Sequence, residues 1–239
     1  ERFGWSKGQS DLVLRKDGRW FLLVTVELPD GAPTPITDFI GVDLGSVNIL
    51  VDSDGAVHSS DKIEAKRITC FTQRRSVSRK TKNASRSQRR NCHRAIIRLG
   101  SKEGRYRKDV NHRIAKELVA KAKDTKRGIA LEDLKGIRDR IQFRKQQRAK
   151  MGGWAFSQLR LFVEYKAKLA GVPVILVDPR NTSKTCAECG HCEKANRKSQ
   201  SEFECLACGH KSLADFNAAR NIRARALVNA PIESEQRIG

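Results

Sequence analysis

Two kinds of residue in this sequence have types and spacings that do chemistry. The first is cysteine. Cys186-x-x-Cys189 and Cys205-x-x-Cys208 are fifteen residues apart, and each pair is followed by Gly-His, at Gly190-His191 and Gly209-His210. Such a pattern predicts one tetrahedral site of four thiolates holding a structural zinc ion. The glycines permit the tight turn that aims backbone N–H groups at the sulfurs. A disulfide pair or a redox dithiol is the competing use. Cys192, His191 and His210 rank behind the four as ligands, while Cys70 and Cys92 lack partners at metal spacing.

The second kind is carboxylate. Asp43 follows Ile40-Gly41-Val42, Glu132 follows Ile129-Ala130-Leu131, and Asp178 follows Val174-Ile175-Leu176-Val177. An ionised carboxylate beside an apolar strand is expensive, and two that converge repel each other. Divalent cations remove both costs. Mg2+ takes oxygen ligands and keeps several waters, so it suits a phosphate substrate, and a pair of such ions can drive phosphodiester hydrolysis. The plainer reading is that each acid caps a strand or pairs with Lys or Arg. Gly45, just after Asp43, favours the metal reading because it lets the backbone turn tightly beside a substrate. Asp215, which opens Ala214-Asp215-Phe216-Asn217-Ala218-Ala219, fits both a helix cap and a further metal ligand.

These side chains need a scaffold. Residues 12–28 read as a β-hairpin turning at Lys16-Asp17-Gly18, followed by a linker over Pro29–Pro35. Phe39–Leu44, Asn48–Val51 and Ala56–His58 predict strands, with a turn at Asp52–Gly55. A lightly packing basic helix is expected next, then amphipathic helices over 112–124 and 154–170, the latter stopped by Gly171. Gly128–Leu131 and Val172–Val177 read as buried strands, and 213–227 as a last helix. Apolar strands alternating with helices indicate an α/β fold, a mixed sheet with helices packed on it.

The chain has 239 residues and a formal charge of +21. So large an excess calls for a polyanion, and nucleic acid is the expected partner. From Arg74 to Lys108 there are 14 Lys and Arg against one acid, Glu103. Arg74, Arg75, Arg79, Lys80, Lys82, Arg86, Arg89 and Arg90 are the candidate phosphate contacts. No apolar run is long enough to span a bilayer and no signal peptide stands out, so the expected place is the cytoplasm, at the nucleoid, with no membrane partner. The sequence opens on Glu1 and its single Met is Met151, so the expectation is a piece of a longer reading frame.

Five motifs together carry a resemblance. They are Gly41-Val42-Asp43-Leu44-Gly45, Leu131-Glu132-Asp133-Leu134, Thr182-Ser183-Lys184-Thr185-Cys186-Ala187-Glu188-Cys189-Gly190, Cys205-Leu206-Ala207-Cys208-Gly209-His210 and Asp215-Phe216-Asn217-Ala218-Ala219. From about Phe39 to Ile222 the chain resembles the C-terminal catalytic half of TnpB, the OrfB-type protein of insertion sequences, which is related to compact type V CRISPR nucleases. The hairpin with Asp17-Gly18-Arg19-Trp20 is similar to the end of that family's wedge domain.

The resemblance implies a RuvC-like (RNase H-type) mixed sheet flanked by helices, with an inserted zinc ribbon. It implies an RNA-guided DNA endonuclease whose catalytic acids fall on Asp43, Glu132 and Asp215, holding two Mg2+ or Mn2+ ions, and so prefers Asp215 to Asp178. The implied divisions are 1–35 (end of the wedge and linker), 36–180 (nuclease core), 181–212 (ribbon, a target-nucleic-acid-binding insertion) and 213–239 (final helix and tail). The implied partners are target DNA and guide RNA, with the upstream recognition domain and most of the wedge absent from this chain. Two alternatives stand beside it. A binding protein or transposon remnant that no longer cuts is disfavoured by the intact acids. A DDE-type transposase is disfavoured by the ribbon placed before Asp215.

Overall fold

The computed structural model describes residues 6–15, 18–26, 28–133 and 156–229. The predicted turn at Lys16-Asp17, Leu134 of the acidic motif, the expected helix start at 154 and the tail from 230 lie outside the described residues.

A five-stranded sheet carries the core. Strands β3 (Asp38–Asp43), β4 (Asn48–Asp52) and β5 (Val57–Ser59) form an antiparallel meander. Strands β6 (Arg127–Glu132) and β7 (Val174–Val177) lie parallel to β3, giving the order β5-β4-β3-β6-β7. The first two strands, β1 (Ser6–Leu14) and β2 (Trp20–Val26), form a separate antiparallel hairpin.

The central strands are apolar on both faces because helices cover both. Alternate residues sort cleanly. Ile40, Val42, Ile129 and Leu131 pack with Ile114 and Leu118 of helix α2 (Arg86–Asp124) and Leu159 and Val163 of helix α3 (Phe156–Ala170). Phe39, Ala130 and Val177 pack on the opposite face with Ile222 and Ala226 of helix α4 (Ala214–Asn229). Gly41 shares that second face. A Cβ there would stand 2.1 Å from the Ala219 carbonyl oxygen, so only glycine lets α4 lie this close to β3.

The basic stretch departs from expectation. It is shared between two helices: its first residues end helix α1 (Asp61–Lys80), and α2 runs unbroken for 39 residues, about 58 Å. The helix predicted at 112–124 is therefore the end of a much longer one. Ser85 starts α2 with a capping box, its hydroxyl accepting from the Gln88 N–H and the Gln88 side chain accepting from the Ser85 N–H. Residues buried along α2 begin only at Asn111, so its first half pairs with α1 and stands off the sheet. Helix α3 ends at Ala170, with Gly171 at φ +74 as its C-terminal cap.

Candidate active site and metal centre

In the parallel pair β3–β6, Val42 lies opposite Leu131. One residue further, Asp43 and Glu132 end the two neighbouring strands side by side. Pleat alternation decides where they point. Val42 and Leu131 face α2 and α3, so Asp43 and Glu132 face α4. Asp215 is on the first turn of α4 and therefore meets them on that face. Its Oδ2 accepts a 2.9 Å hydrogen bond from Asn48 Nδ2. The turn between β3 and β4 carries Gly45, where a Cβ would come within 2.8 Å of the Asn48 carbonyl oxygen.

Asp178 has the other parity. Val177 points under α4, so the pleat turns the next residue away. Asp178 is exposed, and its Oδ1 accepts from the Arg180 N–H at 3.0 Å. Its charge still reaches Glu132 as the smallest of the influences there.

The cluster is electrostatically strained. Burial pushes the Asp43 carboxyl up to about 8, and repulsion from Glu132 and then Asp215 adds to it. Burial also raises Glu132, against a hydrogen bond from the Thr182 hydroxyl that favours its ionised form. Arg197 offsets part of the charge, with its guanidinium 3.9 Å from Asp215 Oδ1. The three carboxylates do not all close to within 4.8 Å of one another as the thiolates described next do.

The Cys-rich segment follows β7 and leads into α4. Its two knuckles repeat one geometry. Cys186 N–H bonds to the His191 carbonyl and Gly190 N–H to the Cys186 carbonyl; Cys205 N–H bonds to His210 and Gly209 N–H to Cys205. Gly190 and Gly209 have φ of +76 and +73. Buried Asn196 locks the halves together, donating to the Lys184 and His191 carbonyls and accepting from the Leu206 N–H. The ligand atoms of Cys186, Cys189, Cys205 and Cys208 lie within 4.8 Å of one another and can hold one metal ion. Backbone N–H groups of Cys208 and then Ala207 pull the Cys205 thiol down to about 6. Cys192 is exposed and outside the cluster.

Two asparagines bind the ribbon to α4. Asn217 accepts from the Ala187 N–H and donates to the Thr185 carbonyl, and Asn221 donates to the carbonyls of Thr182 and Thr185. The segment that orients Glu132 through Thr182, the helix that presents Asp215 and the ribbon that presents Arg197 are thus one bonded unit.

Residues 156–222, from α3 through the ribbon into α4, match the family model described as Cas12f1-like, TNB domain. The chain is 32% identical over 218 residues to the CRISPR-associated endodeoxyribonuclease Cas12f1 of Sulfoacidibacillus thermotolerans, covering 87% of this chain and 50% of that protein. The TnpB-like protein MJ0751 of Methanocaldococcus jannaschii is 29% identical over 212 residues, covering 85% of this chain and 74% of that protein. The Cas12f1 chain of a cryo-EM Cas12f1–sgRNA–target DNA complex superposes with a TM-score of 0.59 at 25% identity, over 87% of this chain and 54% of that one. The chain is a relative of the Cas12f1 and TnpB-like proteins. It spans about half the length of the Cas12f1 relatives it matches.

In this Cas12f-like fold the basic residues singled out by sequence lie on the α1–α2 hairpin. Arg75, Arg79, Lys80, Lys82, Arg86, Arg89 and Arg90 are exposed, whereas Arg74 is half-buried and paired with Glu103 at 3.0 Å. Asn48, Thr182 and Arg197 escaped sequence reasoning. They are polar residues in turns or at a strand start, and only the fold brings them to the acids.

Proposed function

We propose that the chain is the catalytic portion of an RNA-guided DNA endonuclease, with a RuvC-like core in which Asp43, Glu132 and Asp215 hold two Mg2+ (or Mn2+) ions. The observation that carries this reading is the arrival of two adjacent strand-end acids and a helix-start acid on one face of the sheet, with Asp43 held far above its ordinary pKa. A donor set of crowded carboxylate oxygens fits hard divalent cations, which relieve the repulsion. When bound, such ions activate water and stabilise the leaving oxygen of a phosphodiester. Asp43 and Glu132 supply ligands from fixed strand ends. Asn48 orients Asp215 and Thr182 orients Glu132. Arg197 offers a guanidinium beside the acids, where a substrate phosphate oxygen would lie.

The ribbon metal fits zinc. A tetrahedron with Zn–S bonds of about 2.3 Å has edges of about 3.8 Å. The sulfurs of Cys186 and Cys208 stand 3.7 Å apart, and those of Cys189 and Cys205 3.5 Å. The functional divisions follow as a core over 36–180, a zinc ribbon contacting target nucleic acid over 181–212, and the final helix with its tail over 213–239. The exposed cations of the α1–α2 hairpin serve as phosphate contacts, and the partners are target DNA and a guide RNA at the nucleoid. No helix among the described residues is long and apolar enough to cross a membrane.

Guiding requires a defined RNA. Sequencing the RNA that co-purifies with the full-length protein should return one discrete species with a constant part and a variable end. Recovery of only bulk cellular RNA would overturn the guided reading while leaving the nuclease reading standing.

A further inference from the structure

Asp215 meets Asp43 only if α4 keeps its place along β3. The two elements run in opposite directions. The first turn of α4 lies at the end of β3 that carries Asp43, and further along the helix Arg223 reaches Asp38, the residue that starts β3. Arg223 Nε donates to Asp38 Oδ1 at 3.0 Å, and Arg223 Nη2 donates to Asp38 Oδ2. Such a fork is the strong, directional form of an ion pair. Asp38 Oδ1 also accepts the Phe39 N–H at 2.7 Å, which ties the carboxylate to the backbone of β3. Arg127, opposite Asp38 on β6, is engaged by both carboxylate oxygens of Asp54, so the fork falls to Arg223.

Four residues therefore close a frame. Asp38 to Asp43 is one side, roughly 16 Å of strand. Asp215 to Arg223 is the other, about 12 Å of helix. The fork closes one end and the acids face each other at the other. Midway along the frame β3 has no side chain to stop the helix from sliding: Gly41 lies there, and a Cβ on it would stand 2.5 Å from the Arg223 backbone nitrogen. Stability does not explain the fork. The Arg223 side chain is 42% exposed and that of Asp38 19%, and pairs so open to water add little to folding. What the fork adds is direction, because two parallel bonds hold the guanidinium in one plane, as a single lysine contact does not.

We propose that Asp38 and Arg223 are a positioning pair whose fork sets the place of α4 along β3, and with it the separation of Asp215 from Asp43. This rests on the reading of Asp43 and Asp215 as ligands of one metal site, and deepens it. Neither residue belongs to the carboxylate cluster itself. A slip of about 1 Å, less than the rise of one helical residue, is enough to cost a hundredfold in rate.

The test is a Mg2+ titration of matched-target cleavage by the full-length protein with its co-purified RNA, with target binding and Tm followed in parallel. Arg223→Lys keeps the charge and loses the fork, and lysine is a strong helix former, so this variant should fold. Arg223→Lys, Arg223→Gln and Asp38→Asn should each raise the Mg2+ concentration for half-maximal cleavage about tenfold or more. Binding should stay near parental and Tm within a few degrees of the parent. Asp38→Asn combined with Arg223→Gln should be no worse than the worse single variant, because a pair that acts as a unit can be lost only once. Parental Mg2+ dependence in Arg223→Lys would show that charge alone suffices and refute the fork. Additive losses in the double variant, or a large fall in Tm with parental Mg2+ dependence, would make the pair a plain structural tie and overturn the proposal. Asp43→Ala, run alongside, separates the two readings. If it cuts like the parent, the metal site itself fails; if it is dead while the Arg223 and Asp38 variants keep parental Mg2+ dependence, only the positioning pair fails.

Discussion

Asp43→Asn is expected to make the Mg2+-free protein more stable at pH 8 while abolishing cleavage. The wild-type carboxyl is pushed from an ordinary 3.8 to about 8, first by burial, then by Glu132 and Asp215. Its folded-state pKa lies above its unfolded one, so the folded state binds the proton more tightly. Wild-type stability therefore falls as pH rises from about 4 to about 8, and the cost is complete above that window. An amide of the same shape carries no charge to desolvate. The gain should be on the order of 2 kcal/mol at pH 8, a rise in Tm of roughly 5 °C. Below about pH 3 the two proteins should melt alike, because Asp43 is then protonated folded and unfolded. Saturating Mg2+ should close the gap from the other side, by binding the folded wild type. Thermal melts across pH, with and without Mg2+, make the check. A variant no more stable than wild type at pH 8 without Mg2+ would mean that the acids do not strain the site.

Losing the ribbon metal should have the second large effect. Cys205→Ser removes one of four thiolates, and metal binding is coupled to folding in sites this small. The small core around Cys186, Phe203, Cys205 and Ala214 would loosen with it. Asn217 and Asn221 join that unit to α4, so the damage reaches Asp215 and Arg197. Misplacing a catalytic group by about 1 Å can cost a hundredfold in rate, and a loss of at least that size is expected while the five-stranded sheet keeps its circular dichroism. Elemental analysis should give one zinc per chain in the parent, none retained in Cys205→Ser and an unchanged content in Cys192→Ser. A zinc-free ribbon that cut at the parental rate would sink the coupling.

Much of this arrangement was legible in the residues. The strands carrying Asp43 and Glu132 announce themselves as continuous apolar runs, because a central strand covered on both faces has no polar side to alternate with. The knuckles are legible because metal geometry fixes spacing within the chain. Helix α1 was not, since Asp61–Lys80 buries only Cys70 and shows no apolar stripe. Helix α2 reads as two pieces because its first half packs on α1 and only its second half on the sheet. The choice between Asp178 and Asp215 needed either family resemblance or the pleat, since parity on β7 and the placement of α4 exist only in three dimensions. Pairs such as Arg74–Glu103 and Asn48–Asp215, 29 and 167 residues apart, leave no local trace at all.

The central claim is that three acids form one metal-dependent active site for guided cutting. The direct measurement is cleavage of matched and scrambled target DNA by the full-length protein with its co-purified RNA, in Mg2+, for the parent and for Asp43→Ala, Glu132→Ala and Asp215→Ala, with target binding followed in parallel. The parent should cut only the matched target, and each variant should lose cleavage while keeping near-parental binding, because affinity comes from the basic surfaces. A variant lacking any one of the three acids that still cut the matched target at the parental rate would contradict the account.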